Sequence, residues 1–235
     1  MASPAPIDPD HLPEGEEKAR AVRAMFDAIA PRYDLVNRIM TFRLDVSWRR
    51  KTVRSLGLRT GSRIVDLACG TGDLCRELTA AGLAPVGMDL SFGMLAAART
   101  EAPLVHADAL RLPLADASVD GATCGFALRN FVDLAPFVSE LARVVRPGGR
   151  IALLEVAEPP NPVLRTGHSL YFGKVVPRIG ALLSDGNAYR YLPKSVAYLP
   201  EPPALLALVG AAGFVDVRRQ LLTGGIAQLL TGTRR

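Results

Sequence analysis

The sequence predicts an α/β fold built on a doubly wound, mostly parallel sheet, and three observations lead there. Short apolar runs alternate with helix-length runs from Arg63 to residue 158, the rhythm of consecutive strand–helix units. The first run leads into a loop with Gly70 and Gly72, inside DLACGTGDL at 66–74. Acidic residues, Asp89 and Asp108, close the next two runs. Sheets of this kind bind ligands outside the carboxyl ends of their strands.

The 235 residues, 49% hydrophobic, suffice for one such domain. Residues 1–17, rich in proline and acidic side chains, read as a flexible leader, and 18–235 as a single domain. The leader lacks the charged start and apolar run of a signal peptide. From 18 to 60, Ala21, Met25, Ile29, Ile39 and Trp48 recur at roughly helical spacing, which predicts an N-terminal helical cap interrupted by Pro31.

Strands are predicted over 63–68, 84–90, 104–108, 119–128 and 150–158. Helices fall between them: over 74–82, after an N-capping Ser91, and over 133–145, where Pro147, Gly148 and Gly149 supply the stop. Prolines and aromatics crowd 160–203, a segment expected to form a lid or substrate insert. A last helix, 203–214, precedes two strand-like runs, 215–222 and 225–232, that predict a C-terminal antiparallel hairpin completing the sheet.

Composition excludes several function classes. The 28 basic and 23 acidic residues give a net charge of +5, and the basic residues are dispersed without an aromatic-interleaved stripe, which argues against nucleic acid. The one basic cluster is Arg49, Arg50, Lys51 and Arg54. Three cysteines, at 69, 75 and 124, have no metal-ligand spacing and suit a reducing cytosol. His11 and His168 have no evident partner, and no metal is expected. The longest apolar stretch, 204–215, is too short to span a bilayer. A cytoplasmic protein is expected, at most peripheral at the inner face of the cell membrane.

The loop narrows the ligand. A dinucleotide fingerprint wants a third small residue where Cys75 stands, and Asp66 would repel a pyrophosphate. A ligand with a positive centre, such as S-adenosylmethionine, would be favoured there. Asp89 is placed to accept ribose hydroxyls, and Asp108 an adenine amino group, with the Ala109 amide meeting a ring nitrogen.

With those residues in place, the sequence resembles the class I methyltransferases, with their Rossmann-like fold, and within them the ubiquinone and menaquinone biosynthesis C-methyltransferases. The resemblance lies in DLACGTGDL, FDAIAPRYDLVN at 26–37, FALRN at 126–130, RPGGRIALLEVAEP at 146–159, VPRIGALLSDGNAYRYLPKSV at 176–196 and LTGGIAQLLTG at 222–232. It covers about residues 26–232. The family's usual pattern differs at Ala127, Gln228 and Leu230, and often at Gly125. The resemblance implies S-adenosyl-L-methionine as cofactor, with contacts from Asp66, Gly70, Thr71, Gly72, Asp89, Asp108, Ala109 and Gly125. It implies a prenylated demethylmenaquinol as acceptor, methylated to menaquinol, and allows a homodimer.

An aromatic carbon becomes nucleophilic when a neighbouring hydroxyl loses its proton, so the quinol can react and the quinone cannot. A phenol titrates near 10, like tyrosine. A fixed cation beside it, for which Arg129 is the candidate, lowers that value by about 1 to 3 units. Asn130 and Tyr189 are the candidates for orienting the hydroxyls. Plainer roles stand beside these: an ion pair for Arg129, a helix cap for Asn130, lid packing for Tyr189 and Tyr191, and core packing for Cys69 and His106; Tyr33 either lines the cofactor pocket or packs the core. The basic cluster at 49–54 is a candidate for transient contact with anionic lipid, or a solvated helix face. Another phenolic or hydrophobic acceptor, an NAD-dependent oxidoreductase and a non-catalytic scaffold are the competing functions.

Overall fold

The computed structural model describes residues 14–183, 191 and 194–235. Seven strands form one sheet: β1 (Arg63–Leu67), β2 (Ala84–Asp89), β3 (Leu104–His106), β4 (Val119–Gly125), β5 (Val145–Val156), β6 (Phe214–Leu222) and β7 (Ala227–Arg234). Their order is β3-β2-β1-β4-β5-β7-β6. Strands β1 to β5 run parallel, whereas β7 lies antiparallel to both β5 and β6. The expected mostly parallel sheet with its terminal hairpin is thus the observed one, and Gly224 and Gly225, both at positive φ, turn the hairpin.

Both faces are covered. On one side α6 (Leu134–Val144) and α9 (Pro202–Ala211) bury Phe137, Leu141 and Val209 against Val65, Leu67 and Leu153. On the other, α3 (Leu44–Leu56) and α4 (Asp73–Ala80) bury Trp48, Leu56 and Leu78 against Ile64 and Leu154. A third cluster joins the cap, α1 (Gly15–Ile29) and α2 (Tyr33–Met40), to Met94 of α5 (Phe92–Ala96) and to Val176 and Tyr191. The insert contributes α7 (Pro162–Leu170), a π-helical turn (Tyr171–Val175) and α8 (Val176–Leu183).

Most boundaries differ from expectation for physical reasons. Helix α1 starts at Gly15, so 15–17 are helical, with Glu16 and Glu17 suiting the positive end of the helix dipole. The break expected at Pro31 is present: α1 ends at Ile29 and Pro31 sits in a 3₁₀ turn (Ala30–Arg32), where its missing N–H is not needed, before α2 begins at Tyr33. Strand β5 begins at Val145 and runs through Pro147–Gly149; a register shift between Val119 and Gly121 on β4 accommodates it. Strand β4 ends at Gly125, where Phe126 turns to φ +61° and a 3₁₀ turn (Leu128–Asn130) follows. Helix α5 and strand β3 are shorter than expected, leaving Asp108 on the loop beyond β3.

Candidate active site

The sheet reverses its winding direction between β1 and β4, the usual place for a ligand crevice. The loop leaving β1 takes positive φ at Ala68, Gly70 and Gly72. A side chain at Gly72 would put its Cβ 2.5 Å from Thr100 Cγ2, so glycine is required there on steric grounds. The loop is pinned from three sides. Asp89 accepts the Gly70 N–H at 2.7 Å and the Ser91 N–H at 2.8 Å. Thr71 donates its hydroxyl to Asp34 of the cap. Beneath the loop, Asp66 is fully buried and accepts the Thr123 hydroxyl at 2.7 Å and the Cys75 thiol at 3.4 Å.

One cavity of about 160 Å³ opens beside this loop. Gly70, Asp89, Asp108, Ala109 and Gly125 all line it, as does Asn130. Three other residues expected at the ligand do not. Asp66 supports the loop from below, its carboxyl turned to Thr123 and Cys75 and pushed up by burial to about 7, so it does not face the cavity. Thr71 is turned to Asp34, and Gly72 caps α4. Burial also raises Asp89 above the ordinary carboxylate range, against the backbone N–H groups of Ser91, Gly70 and Leu90 that favour its charge. Helix α1 roofs the cavity with Ala19, Val22, Arg23 and Phe26. Its Asp27 fixes the roof to α5 by accepting the Ser91 hydroxyl at 2.5 Å and the Gly93 N–H at 2.9 Å. Lys18, almost fully buried, donates to the Phe131 carbonyl at 2.7 Å and lies 3.5 Å from the Tyr198 ring centre; burial lowers its ammonium to about 8.

A second cavity, about 210 Å³, lies on the cap side and shares Tyr33 and Phe126 with the first. Its walls are largely apolar, with Met40, Trp48, Phe172 and Ile226, and carry two buried guanidiniums, Arg49 and Arg129. Both are neutralised. Arg129 pairs with Glu155, donates from Nε to Ser195 Oγ at 3.0 Å and from NH1 to the Phe126 carbonyl at 2.8 Å. Arg49 pairs with Asp45 and reaches Asp73 at 3.3 Å. The ion-pair role for Arg129 is therefore realised, and Arg49 is withdrawn from the surface cluster considered for lipid contact. Tyr33 stands at the junction. Burial raises its hydroxyl, against the pull of Asn37 and of both guanidiniums.

Asn130 does not cap α6; Asp133 does so by accepting the Ala135 N–H at 2.9 Å. Asn130 Oδ1 instead lies 3.5 Å from the Tyr191 hydroxyl, and Tyr191 is fully buried. Tyr189 lies outside the described residues. His106 is exposed at the sheet edge rather than in the core, with Nε2 2.9 Å from the Leu90 carbonyl oxygen. Gln228 and Leu230 line neither cavity; Gln228 donates to the Val156 carbonyl and Leu230 joins the core. Sequence reasoning passed over Glu155, Asp45 and His168. An i, i+4 Asp45–Arg49 spacing on the face of α3 that carries Trp48 was the available signal for one of these pairs.

Residues 14–234 match the ubiE/COQ5 methyltransferase family. A demethylmenaquinone methyltransferase of Thermus thermophilus is 45% identical over 220 residues, 89% of this chain and 100% of that protein. The ubiquinone/menaquinone biosynthesis C-methyltransferase of Syntrophotalea carbinolica is 43% identical over 90% of this chain and 93% of its own length. Among solved structures, a SAM-dependent methyltransferase of Thermotoga maritima superposes with a TM-score of 0.63 at 17% identity, over 90% of this chain and 98% of that one. The phosphoethanolamine N-methyltransferase 2 of Haemonchus contortus, solved with S-adenosyl-L-methionine, gives 0.58 at 15% identity over 79% of this chain and 52% of that one. These two likenesses concern the fold. On the extent of the sequence match and the seven-stranded architecture together, the chain belongs to the ubiE/COQ5 methyltransferase family.

Proposed function

We propose that the chain transfers a methyl group from S-adenosyl-L-methionine to a ring carbon of a prenylated demethylmenaquinol, giving menaquinol. The observation that carries this is the pair of cavities meeting at Tyr33 and Phe126, one walled by Asp89 and Asp108, the other apolar with buried polar pairs.

The first cavity suits an adenosine with a positive centre. Asp89 and Asp108 present carboxylates for ribose hydroxyls and an amino group, while Met94, Leu110 and Phe131 offer an apolar slot for the base. Cys75 packs against Cys69 and Gly87 where a dinucleotide fingerprint would place a small residue. When bound, S-adenosyl-L-methionine supplies an electrophilic methyl on its sulfonium. The chain's part is to hold donor and acceptor in line and to exclude water, a positioning task.

The second cavity accepts the quinol ring. Beyond it runs an apolar cleft of about 350 Å³ between α2–α3 and α7, which shares Met40, Trp48, His168 and Phe172 with the cavity. That cleft is the path for the prenyl chain. Phe42 and Val163 at its edge are 73% and 79% exposed, and this apolar rim supports transient contact with the inner face of the bilayer by a cytoplasmic protein. Among the described residues no helix is long and apolar enough to cross a membrane. Co-sedimentation with phosphatidylglycerol vesicles tests the contact; Phe42→Ser should weaken it, and unchanged binding would remove the rim from membrane docking.

Isothermal titration with S-adenosylhomocysteine and NAD tests the cofactor. Affinity for the first alone is expected; affinity for NAD alone would overturn the assignment.

A further inference from the structure

On the functional reading above, we propose that His168 is the group that takes the hydroxyl proton of the bound quinol and passes it to solvent. The need for a base follows from the charge pattern. A lone Arg129 cation could bring a phenol from about 10 to roughly 7–9. Glu155 beneath it and Asp45 beside Arg49 cancel most of that field, so the hydroxyl needs a proton acceptor within the cavity.

His168 meets the structural requirements. It stands on α7 and lines both the acceptor cavity and the apolar cleft, at the place where the two join. Half-buried, it lines the cavity while part of its surface stays open to solvent. Its ring packs tilted on Phe172, centroids 4.3 Å apart, which fixes the imidazole plane. Asn161 and Pro162 begin α7, with Asn161 Oδ1 accepting the Val163 N–H at 2.9 Å, so the helix that carries the imidazole is anchored at its start.

The charged groups on the facing elements are Glu158 after β5, Arg165 on α7 itself, Tyr33 on α2, Asp45 and Arg49 on α3, and Arg129 after β4. Arg165 is turned away, donating to the Pro159 and Pro160 carbonyls. Asp45 is committed to Arg49 and Thr41, and Tyr33 holds its proton. Glu158 is solvent-exposed. Burial keeps the imidazole neutral to lower pH than usual, and Glu158 opposes that shift by favouring the imidazolium once formed. In the step itself the quinol O–H bond breaks, an N–H bond forms on the imidazole, and the electron pair stays on oxygen to activate the ring. The imidazolium then returns to neutral by giving its proton to solvent at the cavity mouth, where exposed Glu158 also lines the wall.

His168→Gln keeps the volume and removes the titration. Its kcat should fall by about 10²-fold or more, with KM and S-adenosylhomocysteine affinity changed less than threefold. The wild-type kcat should fall with decreasing pH through the His168 titration, and the variant should lose that limb. Imidazole should restore turnover to His168→Ala. Independently of turnover, NMR titration of the His168 ring should show its midpoint moving when 1-naphthol binds, as expected for a proton shared with a phenol. Wild-type kcat in His168→Gln, or a midpoint unmoved by bound naphthol, would overturn the proposal. Absence of methyl transfer by the wild-type protein would instead refute the functional reading, and the NMR result would still decide the role of His168.

Discussion

Arg129, on the wall of the second cavity, forms an ion pair with Glu155, their side chains only 5% and 0% exposed. Glu155 stands on β5 and Arg129 in the 3₁₀ turn just beyond β4, and the parallel pairing of the two strands brings them together. Removing one partner leaves a buried charge uncompensated, which costs about 3–5 kcal/mol. Glu155→Gln should therefore lose about 3 kcal/mol of unfolding free energy in urea titration. A loss well under 1 kcal/mol would mean that water reaches the pair.

Asp89 holds the glycine loop while facing the first cavity. Asp89→Ala removes charge-assisted hydrogen bonds worth about 1.5–3 kcal/mol each. S-adenosylhomocysteine affinity should drop about 10-fold or more by calorimetry, with the fold retained by circular dichroism. Unchanged affinity would remove Asp89 from the ligand.

The roof of that cavity depends on a close approach. A Cβ on Gly93 would sit 2.9 Å from Asp27 Cα and 3.0 Å from its carbonyl oxygen, so α1 would have to move. Gly93→Ala should lower stability by roughly 1–3 kcal/mol and weaken cofactor binding. Gly210→Ala, with nothing within 4 Å, is the matched comparison and should be neutral or gain up to about 1 kcal/mol in its helix. Equal melting temperatures for the two variants would show that the contact is slack.

Asp66 gives the protein a pH signature. Its folded-state value, about 7, lies above the ordinary carboxylate value near 4. Between those values the folded chain keeps a proton that the unfolded chain has released. The contribution of this carboxyl to stability is therefore fully present below the window and is lost as pH rises through it, by ~4 kcal/mol at the upper end. Denaturation of Asp66→Asn across pH 4–7 should show this slope removed; an unaltered slope would assign it to other groups.

The strand rhythm, the glycine loop and the acids after β2 and β3 were legible because each depends on local sequence alone. Asp89 and Asp108 do converge on one cavity with Gly70 and Gly125. Asp66 misled because its position before the loop says nothing of the direction its side chain takes; Thr123, on the neighbouring strand, decides that. For Arg129 a fixed cation and an ion pair were both open, and the sequence did not name the partner, since Glu155 stands 26 residues away on β5. Arg49 looked like surface charge until α3 was seen to turn it, with Asp45, toward the cap cavity. For His168 the i, i+4 spacing to Phe172 was there to be read, whereas its place on the cavity wall with Glu158 depends on how α7 packs against the cap.

The most direct test is methyl transfer from labelled S-adenosyl-L-methionine to a short-chain demethylmenaquinone, run with and without chemical reduction of the quinone. Labelled menaquinol that forms only under reduction is the expected result, since only the quinol offers an ionisable hydroxyl beside the reacting carbon. Cofactor binding without any transfer to the reduced acceptor would contradict the assignment of the second cavity to a quinol.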